Sequence, residues 1–348
     1  MNDLGTNILI WIIHAVLLTV VLLTAFAYTT LLERKVLGRI QSRIGPNRAG
    51  PFGLLQPLAD GIKLIFKEEL TPAGVDRFTF LLAPVLAAVP AVVVFAVIPI
   101  GGQASFFGTP INLTLAPNLN VGILFVLAIT SVSVYGIVLA GWASNSKYSM
   151  LGSLRSTAQM ISYELAMGLS LVALVVVAGT LDLNAIVDQQ KELWFVFLQP
   201  VGAVIFMLAA LAEVNRAPFD LPEAEQELTA GYHTEYSGMK FALFFMAEYI
   251  KMSVIAGLAI TFFFGGYREP LPLFITRALP VLSVDNTPWL GPIYFSIKVV
   301  VLLFVQIWVR ATLPRLRYDQ LMRLGWKVML PITLAWVMVT AFVVLLRI

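Results

Sequence analysis

Residues 212–238 read AEVNRAPFDLPEAEQELTAGYHTEYSG and hold an unusual density of carboxylates. Six of the 20 acidic residues of the chain fall in this segment, against one Arg and one His. Carboxylates that converge with water raise one another's pKa, so that one of them can hold a proton near neutral pH, as a proton relay requires. A solvated loop could also be acidic without such a role. The six acids are Glu213, Asp220, Glu223, Glu225, Glu227 and Glu235.

Three more ionisable residues, Glu164, Glu248 and Lys251, lie inside apolar runs. Buried charges cost several kcal/mol unless they are paired or hydrated, and they mark an ion or proton path by default. Glu248 and Lys251 are three residues apart and could instead neutralise each other. Tyr163 and Tyr249 each neighbour one of these Glu residues and could extend a hydrogen-bonded chain.

The composition indicates a polytopic membrane protein. Charged residues make up 12% of the chain and apolar residues 59%, with a mean hydropathy of +0.87, whereas soluble domains carry about 25% charge. The chain has no Cys, which excludes disulfides and iron–sulfur ligation, and its two His residues are far apart. No nucleotide fingerprint is present, and Lys and Arg are spread over loops rather than over one nucleic-acid-binding face. We therefore expect no cofactor on this chain alone.

Eight apolar runs are long enough to cross about 30 Å of hydrocarbon as helices of roughly 20 residues. None alternates as a barrel strand would, and a helix satisfies its own backbone in lipid. The sequence predicts an all-α fold with eight transmembrane helices in a single transmembrane domain, residues 1–348. The predicted spans are about 8–32, 78–100, 119–143, 161–181, 193–212, 241–264, 292–309 and 328–346.

Lys and Arg are distributed unevenly between the two sides. The loops after the first, third, fifth and seventh spans carry 17 of them, and the opposite side with both termini carries four. This asymmetry places both termini outside and the acidic segment in the cytoplasm or matrix. The long loops favour a bacterial inner membrane over a mitochondrial one. Lys298, near the outer end of the seventh span, could snorkel to the surface, and we expect it to be a structural residue.

The segment at about 52–69 predicts an amphipathic helix rather than a span. Its apolar residues recur at helical spacing, and such a helix lies flat on the membrane surface. It could be an interfacial anchor or the wall of a portal for a lipid-soluble substrate. The apolar stripe consists of Leu55, Leu58, Ile62 and Ile65.

Glu164, Glu213 and Glu248 belong to the fourth, fifth and sixth spans. Short connections make neighbouring spans adjacent, so the three carboxylates are expected to converge. Pro218 and Pro222 prevent an uninterrupted helix in the acidic segment and make it a shaped loop.

Four blocks stand out along the chain: ERKVLGRIQSRIGPNRAGPFGLLQPLADGIKLIFKEE (Glu33–Glu69), AQMISYE (Ala158–Glu164), AEVNRAPFDLPEAEQELTAGYHTEYSGMKFALFFMAEY (Ala212–Tyr249) and RATLPRLRYDQLMRLGWK (Arg310–Lys327). In this order they resemble the H-subunit family of bacterial complex I, NADH:quinone oxidoreductase, whose mitochondrial counterpart is NADH dehydrogenase subunit 1. The likeness covers essentially the whole chain. Related subunits of membrane-bound hydrogenases share the pattern of the third block.

The resemblance implies a subunit that joins the membrane arm to the peripheral arm and lines much of the ubiquinone chamber, with no complete active site of its own. NADH, FMN and iron–sulfur clusters would be on partner subunits, and further partners would be small and antiporter-like membrane subunits and lipids. The residues implied along the chamber are Arg34, Arg43, Asp60, Phe219 and Arg310, with Arg315 and Arg317 at the same surface. Those implied on an acidic path are Glu164, Glu213, Glu223, Glu225, Glu227, Glu235 and Glu248.

These observations lead to the hypothesis that quinone reduction changes charge or proton demand near residues 213–235, and that the buried Glu residues pass this change along the membrane. One alternative is a free-standing cation/proton secondary transporter, although such folds usually contain inverted repeats and the sequence shows none. A second is the related subunit of a membrane-bound hydrogenase. Another is a structural anchor for a peripheral complex, which would tolerate the loss of charge at Glu213 or Glu248.

Overall fold

The computed structural model describes residues 3–106, 109–114, 116, 119–220, 231–270 and 283–346. Within these residues the chain is a bundle of helices, with one small hairpin that the sequence did not predict. The hairpin pairs β1 (Gln103–Phe106) with β2 (Thr109–Asn112) in antiparallel register. The helices are α1 Asp3–Ile40, α2 Gln56–Phe66, α3 Arg77–Phe95, α4 Gly122–Ala143, α5 Lys147–Ala178, α6 Leu183–Gln189, α7 Phe195–Leu198, α8 Pro200–Glu213, α9 Gly238–Phe263, α10 Leu290–Thr312, α11 Tyr318–Arg323 and α12 Leu330–Leu345.

The prediction of a helical, polytopic membrane protein is confirmed. In the described part of the chain, seven helical stretches are long and apolar enough to cross a membrane, α11 and α12 forming one of them through a π-helical turn at Leu324–Met329. The fifth predicted span, about 193–212, is divided into α7 and α8. Pro200 begins α8, and the residue before a proline is disfavoured in the helical conformation, so the break falls at Gln199.

Two helices extend well beyond the predicted spans. α1 continues through Glu33 to Ile40, and α5 begins at Lys147, some 14 residues before the predicted start of that span. Hydropathy ends a span where polar residues begin, whereas the helix continues because its hydrogen bonds and packing do not depend on lipid. The extension of α1 carries Glu33 and Arg34, and that of α5 carries Gln159, three polar residues described below.

α9 is the central helix of the bundle. It packs against α1, α3 and α10, and 78% of its most apolar stretch of 18 residues is buried. α5 packs against α4, α8 and α12, and α3 packs closely against α4. Glu248 and Lys251 are thus carried by a helix surrounded on most sides by other helices, where a charge must find a partner within the protein.

We call the end of the bundle formed by residues 41–76, 144–146, 214–220, 231–237 and 313–317 the basic end. Here α2 lies against α1 and α9. A tight turn before α2 requires Gly53, whose φ is +75° and where a Cβ would collide with the Pro46 carbonyl oxygen. This turn fixes where α2 starts, one residue after Leu55.

At the opposite end of the bundle, a buried lysine binds the backbone just after α9. Lys298 of α10 is 9% exposed and donates to the carbonyls of Phe264, Gly266 and Arg268 at 2.7, 2.9 and 2.8 Å. Lys298 therefore does not snorkel to the surface, and it takes the structural role that the sequence also suggested. The three carbonyls of the turn after α9 bind its ammonium group inside the protein, so its donors are satisfied without water.

Candidate functional site

Four charged side chains from distant parts of the chain meet at the basic end and form what we call the Arg–Glu cluster: Glu33, Arg216, Glu248 and Arg310. Arg216 Nη1 donates to Glu33 Oε1 at 3.3 Å, and Arg310 donates to the same oxygen. Arg216 Nε lies 2.5 Å from Glu248 Oε1. The side chains of Glu33 and Arg216 are only 3% and 5% exposed.

The cluster is formally neutral, with two guanidinium groups and two carboxylates. Buried ions are tolerated when each is paired, and removal of one partner leaves an uncompensated charge that costs about 3–5 kcal/mol. A proton added to either carboxylate would therefore leave an excess positive charge inside the protein. This makes the arrangement sensitive to charge changes nearby.

Tyr249 lies beside the cluster. Its ring is 4.2 Å from the Arg216 guanidinium carbon, a cation–π contact. The other sides of the ring contact Phe26 of α1 and Phe245 of α9, at centroid distances of 6.1 and 4.8 Å. Tyr249 and Glu248 both contact Arg216, and the extension of a hydrogen-bonded chain through Tyr249 stays a prediction.

Phe26 and Phe245 also line a cleft between α1, α2 and α9, which we call the α1–α2–α9 cleft. Its volume is about 1010 Å³ including the open mouth, and its walls are mostly apolar, formed by side chains such as Phe26, Leu64, Ile65, Phe241, Phe245 and Met246. Arg34 and Asp60, two of the predicted chamber residues, meet in it as an ion pair of 2.5 Å. Gln56 Nε2 donates to the second oxygen of Asp60 at 3.1 Å.

The cleft and the Arg–Glu cluster are adjacent through α1. Glu33 and Arg34 are consecutive residues, and consecutive side chains on an α-helix diverge by about 100°. Glu33 contacts Arg216 and Arg310, and Arg34 lines the cleft. Tyr249 adds a second connection, because its ring touches Arg216 on one side and two cleft-lining rings on others.

On its other side, Glu248 borders a second cavity, which we call the carboxylate cavity. Glu213, Glu248 and Lys251 line it together with Asn215 and Tyr232, and the space in it that a water-sized molecule can occupy is about 20 Å³. The carboxylates of the fifth and sixth predicted spans therefore converge. Glu248 and Lys251 do not simply pair with each other, since Arg216 pairs with Glu248 and Lys251 Nζ donates to Ser133 Oγ at 2.7 Å.

Glu164 completes this group from α5. It accepts a hydrogen bond from Ser131 of α4, and it lies close enough to Glu213 and Lys251 for a Coulombic interaction with both. Three carboxylates from α5, α8 and α9 thus surround one ammonium group. Charged groups this close inside a protein interact strongly, so a change of charge on one of them affects the others.

Several predicted site residues lie elsewhere. Phe219 is buried against Tyr163, with ring centroids 5.5 Å apart, rather than on the wall of the α1–α2–α9 cleft. The Tyr163 hydroxyl donates to the Leu321 carbonyl at 3.0 Å. Arg43 lines a separate basic pocket with Lys35 and Arg39.

The acidic segment is only partly described. Glu235 is half-buried, two residues after the 3-10 turn Gly231–His233, and Asp220 is half-buried at the other end. Glu223, Glu225 and Glu227 lie outside the described residues. The end of this segment is held tightly against α5, because a Cβ on Gly152 would lie 2.7 Å from the Cα of Gly231.

Sequence reasoning missed two residues of the cluster, Glu33 and Arg216. Each carried a signal: Glu33 is an acid at the start of a basic loop, and Arg216 is the single Arg of an acidic segment. An acid among basic residues and a base among acidic residues can pair with each other. This is the long-range ion pair between α1 and the loop after α8.

The described residues contain no group of three or more His, Asp or Glu side chains suited to a metal ion. His233 is buried among the rings of Tyr232, Phe241 and Phe244, at centroid distances of 3.8, 5.6 and 5.5 Å. Burial lowers the pKa of His233 to about 3, so the imidazole is neutral at ordinary pH. It is a packed core residue, outside the charge network.

Comparison with known proteins identifies the family of this chain. The sequence model of the NADH dehydrogenase family matches residues 13–341. The chain is 52% identical over 348 residues to the H subunit 1 of the NADH-quinone oxidoreductase of Geobacter metallireducens, covering 100% of both chains. It is also 52% identical over 346 residues to the H subunit 2 of the NADH-quinone oxidoreductase of Geobacter sulfurreducens, covering 99% of both. The chain therefore belongs to the NADH dehydrogenase family, as a multi-pass membrane subunit of NADH-quinone oxidoreductase, complex I.

Proposed function

We propose that this subunit forms a wall of the quinone chamber and couples quinone reduction to proton translocation through its buried carboxylates. One observation carries the proposal: Glu248 pairs with Arg216 in the Arg–Glu cluster, beside the α1–α2–α9 cleft, and also lines the carboxylate cavity with Glu213 and Lys251. A change of charge on the cleft side therefore acts on the carboxylate group through one shared side chain.

The α1–α2–α9 cleft has the properties that a lipid-soluble quinone needs. Apolar walls with a few polar groups are typical of sites for such ligands. One wall is the amphipathic helix α2, whose Leu58, Ile62 and Ile65 are exposed, so the cleft can be reached from the membrane surface. Arg34 and Asp60 would orient the polar head of the quinone by hydrogen bonding.

Reduction of a quinone to a quinol consumes two electrons and two protons. The electrons would come from partner subunits, because this chain has no Cys to hold an iron–sulfur cluster. The two protons that the quinone takes up leave the groups beside the cleft short of positive charge, and a proton drawn from the cytoplasmic side to Glu248 in response would weaken its ion pair with Arg216. The freed charge of Arg216 and the changed state of Glu248 would then alter the affinity of Glu213 and Glu164 for protons.

In this function the basic end faces the cytoplasm of a bacterial cell and meets the peripheral arm, which carries NADH, FMN and the iron–sulfur clusters. Small and antiporter-like membrane subunits would receive the signal from Glu164 and Glu213. A free-standing cation transporter would use the same carboxylates without partners. Purification from native membranes separates these functions, because a lone transporter would not co-migrate with flavin- and iron–sulfur-containing subunits.

The test uses Glu213→Gln and Glu248→Gln in the assembled complex in membrane vesicles. NADH oxidation by an artificial acceptor reports assembly, and quinone-linked NADH oxidation and proton uptake report function. We expect quinone-linked turnover and proton uptake to fall roughly tenfold or more at equal assembly, since each change removes an ionisable group from the path. Normal turnover and proton uptake in both variants would instead support a structural anchor.

A further inference from the structure

The side chain of Gln159 on α5 holds the start of the acidic segment in place. Gln159 is fully buried, at 0% exposure. Its amide nitrogen donates to the Ala212 and Phe219 carbonyls, both at 2.7 Å, and lies 3.2 Å from Asn215 Oδ1. One amide group thus contacts both ends and the middle of residues 212–219.

The orientation of this amide is fixed by its surroundings. Three oxygen atoms face the nitrogen, and an amide turned by 180° would place its oxygen against all three. The segment between them is compact: Asn215 has a φ of +58°, and the Phe219 N–H donates to the Arg216 carbonyl at 2.8 Å. Residues 212–219 therefore form a short, shaped turn around the end of the Gln159 side chain.

This turn carries two charged residues of the site. Glu213 follows Ala212 directly and lines the carboxylate cavity, and Arg216 lies midway and pairs with Glu33 and Glu248. One helical turn after Gln159, the ring of Tyr163 packs against Phe219 and supports the same end of the segment. The positions of Glu213 and Arg216 relative to α9 thus depend on a turn that α5 fixes.

We infer that Gln159 is a positioning residue for coupling: it holds residues 212–219 so that Glu213 faces Lys251 while Arg216 faces Glu33 and Glu248. The inference rests on the proposed function of these carboxylates. Gln159 does not line the α1–α2–α9 cleft, so its loss should affect turnover and proton uptake and leave the apparent affinity for quinone unchanged. A group displaced by about 1 Å can lower a rate by roughly a hundredfold, so small shifts of this turn suffice.

The experiment compares Gln159→Glu and Gln159→Ala in the assembled complex in vesicles, with Gln190→Ala as a matched control. Gln190 lies at the other end of the bundle, is 1% exposed and also donates to a backbone carbonyl, that of Thr261 at 2.8 Å. At equal assembly, measured with an artificial acceptor, we expect quinone-linked kcat and proton uptake to fall roughly tenfold in both Gln159 variants. The KM for quinone should stay within about twofold, and the control should match the wild type in both.

The isosteric Glu variant adds a readout that a merely structural residue would not give. A protonated carboxylic acid keeps one donor for the turn, and an ionised one keeps none. The loss of kcat should therefore deepen as pH rises from about 6 to about 8.5, with no such trend in Gln159→Ala. The inference is overturned if Glu213→Gln is impaired while both Gln159 variants turn over normally, or if the kcat loss comes with an equal rise in KM. If Glu213→Gln is itself normal, the proposed function fails instead.

Discussion

Arg216 Nε lies 2.5 Å from Glu248 Oε1, and the same guanidinium group donates to Glu33 through Nη1 at 3.3 Å. One arginine in the loop after α8 thus connects α1 to the central helix α9. Because Glu33 is buried and Glu248 is only 12% exposed, water can do little for either carboxylate when its partner changes. This connection is the physical basis of the coupling proposed for the subunit.

A double-substitution cycle tests the Glu33–Arg216 pair. Glu33→Gln or Arg216→Gln alone leaves the Arg–Glu cluster with one unit of excess charge, and each should lower the free energy of unfolding by about 3 kcal/mol. The double variant keeps Glu248 and Arg310 and is neutral again. Its loss should be smaller than the sum of the single losses by about 1–3 kcal/mol, measured from thermal unfolding of the purified complex.

The relevant control for that cycle is Arg34→Gln with Glu33→Gln, since Arg34 is adjacent in sequence and pairs with Asp60 rather than with Glu33. This second pair should give nearly additive losses. Additive losses for Glu33 and Arg216 as well would mean that the cluster does not act as one unit.

The Arg34–Asp60 ion pair gives a prediction about quinone affinity. Asp60→Asn leaves Arg34 without its counter-ion inside the α1–α2–α9 cleft and should raise the apparent KM for quinone several-fold, by about 1 kcal/mol of binding free energy, with a smaller effect on kcat. Exchange of the two residues, Arg34→Asp with Asp60→Arg, restores the pair and should recover part of the loss. Glu68→Gln, in the exposed segment after α2, serves as the control. An unchanged KM in an assembled Asp60→Asn enzyme would place the quinone elsewhere.

His233 predicts a pH dependence of local stability. Burial lowers its pKa to about 3 from about 6.5, so the folded segment stays neutral where the unfolded segment binds a proton. The stability that neutral His233 gives the folded segment is fully present above about pH 6.5. It is lost as pH falls from about 6.5 towards 3, at up to about 1.4 kcal/mol per pH unit. Hydrogen exchange of residues 231–237 in the assembled complex, corrected for intrinsic rates, should speed up below about pH 6.5. The Gln variant at His233 should lack this acid-dependent increase; the same increase in both would assign it to other groups.

The sequence predicted some of this site because the signals were local. Glu164, Glu213 and Glu248 stand out as acids at or inside apolar runs, and the order of the spans brings them together. Glu33 was missed because its partners Arg216 and Arg310 are 183 and 277 positions away, a separation that no periodicity reveals.

The limits of the helices were missed for a related reason. Hydropathy reports where lipid ends, and α1 and α5 continue past that point into protein contacts. Pro200 in the sequence indicates a break in the fifth span. The residues on both sides of it are apolar, so hydropathy alone treats them as one span.

Lys298 provides the last prediction, at the end of the bundle away from the carboxylates. Its ammonium group donates to three carbonyls just after α9 and lies 4.9 Å from the ring centroid of Trp194. Lys298→Met keeps the volume but leaves those carbonyls without their donor, and should lower the free energy of unfolding by about 2 kcal/mol. Lys191→Met is the matched control: its ion pair with Asp285 is half exposed, at 52% and 53%, and should contribute about 1 kcal/mol or less. Thermal unfolding of the purified complex compares the two. An equal loss of stability for both lysines would show that the burial of Lys298 adds no stability. A larger loss is expected at Lys298 because no water replaces the ammonium group at its three carbonyls.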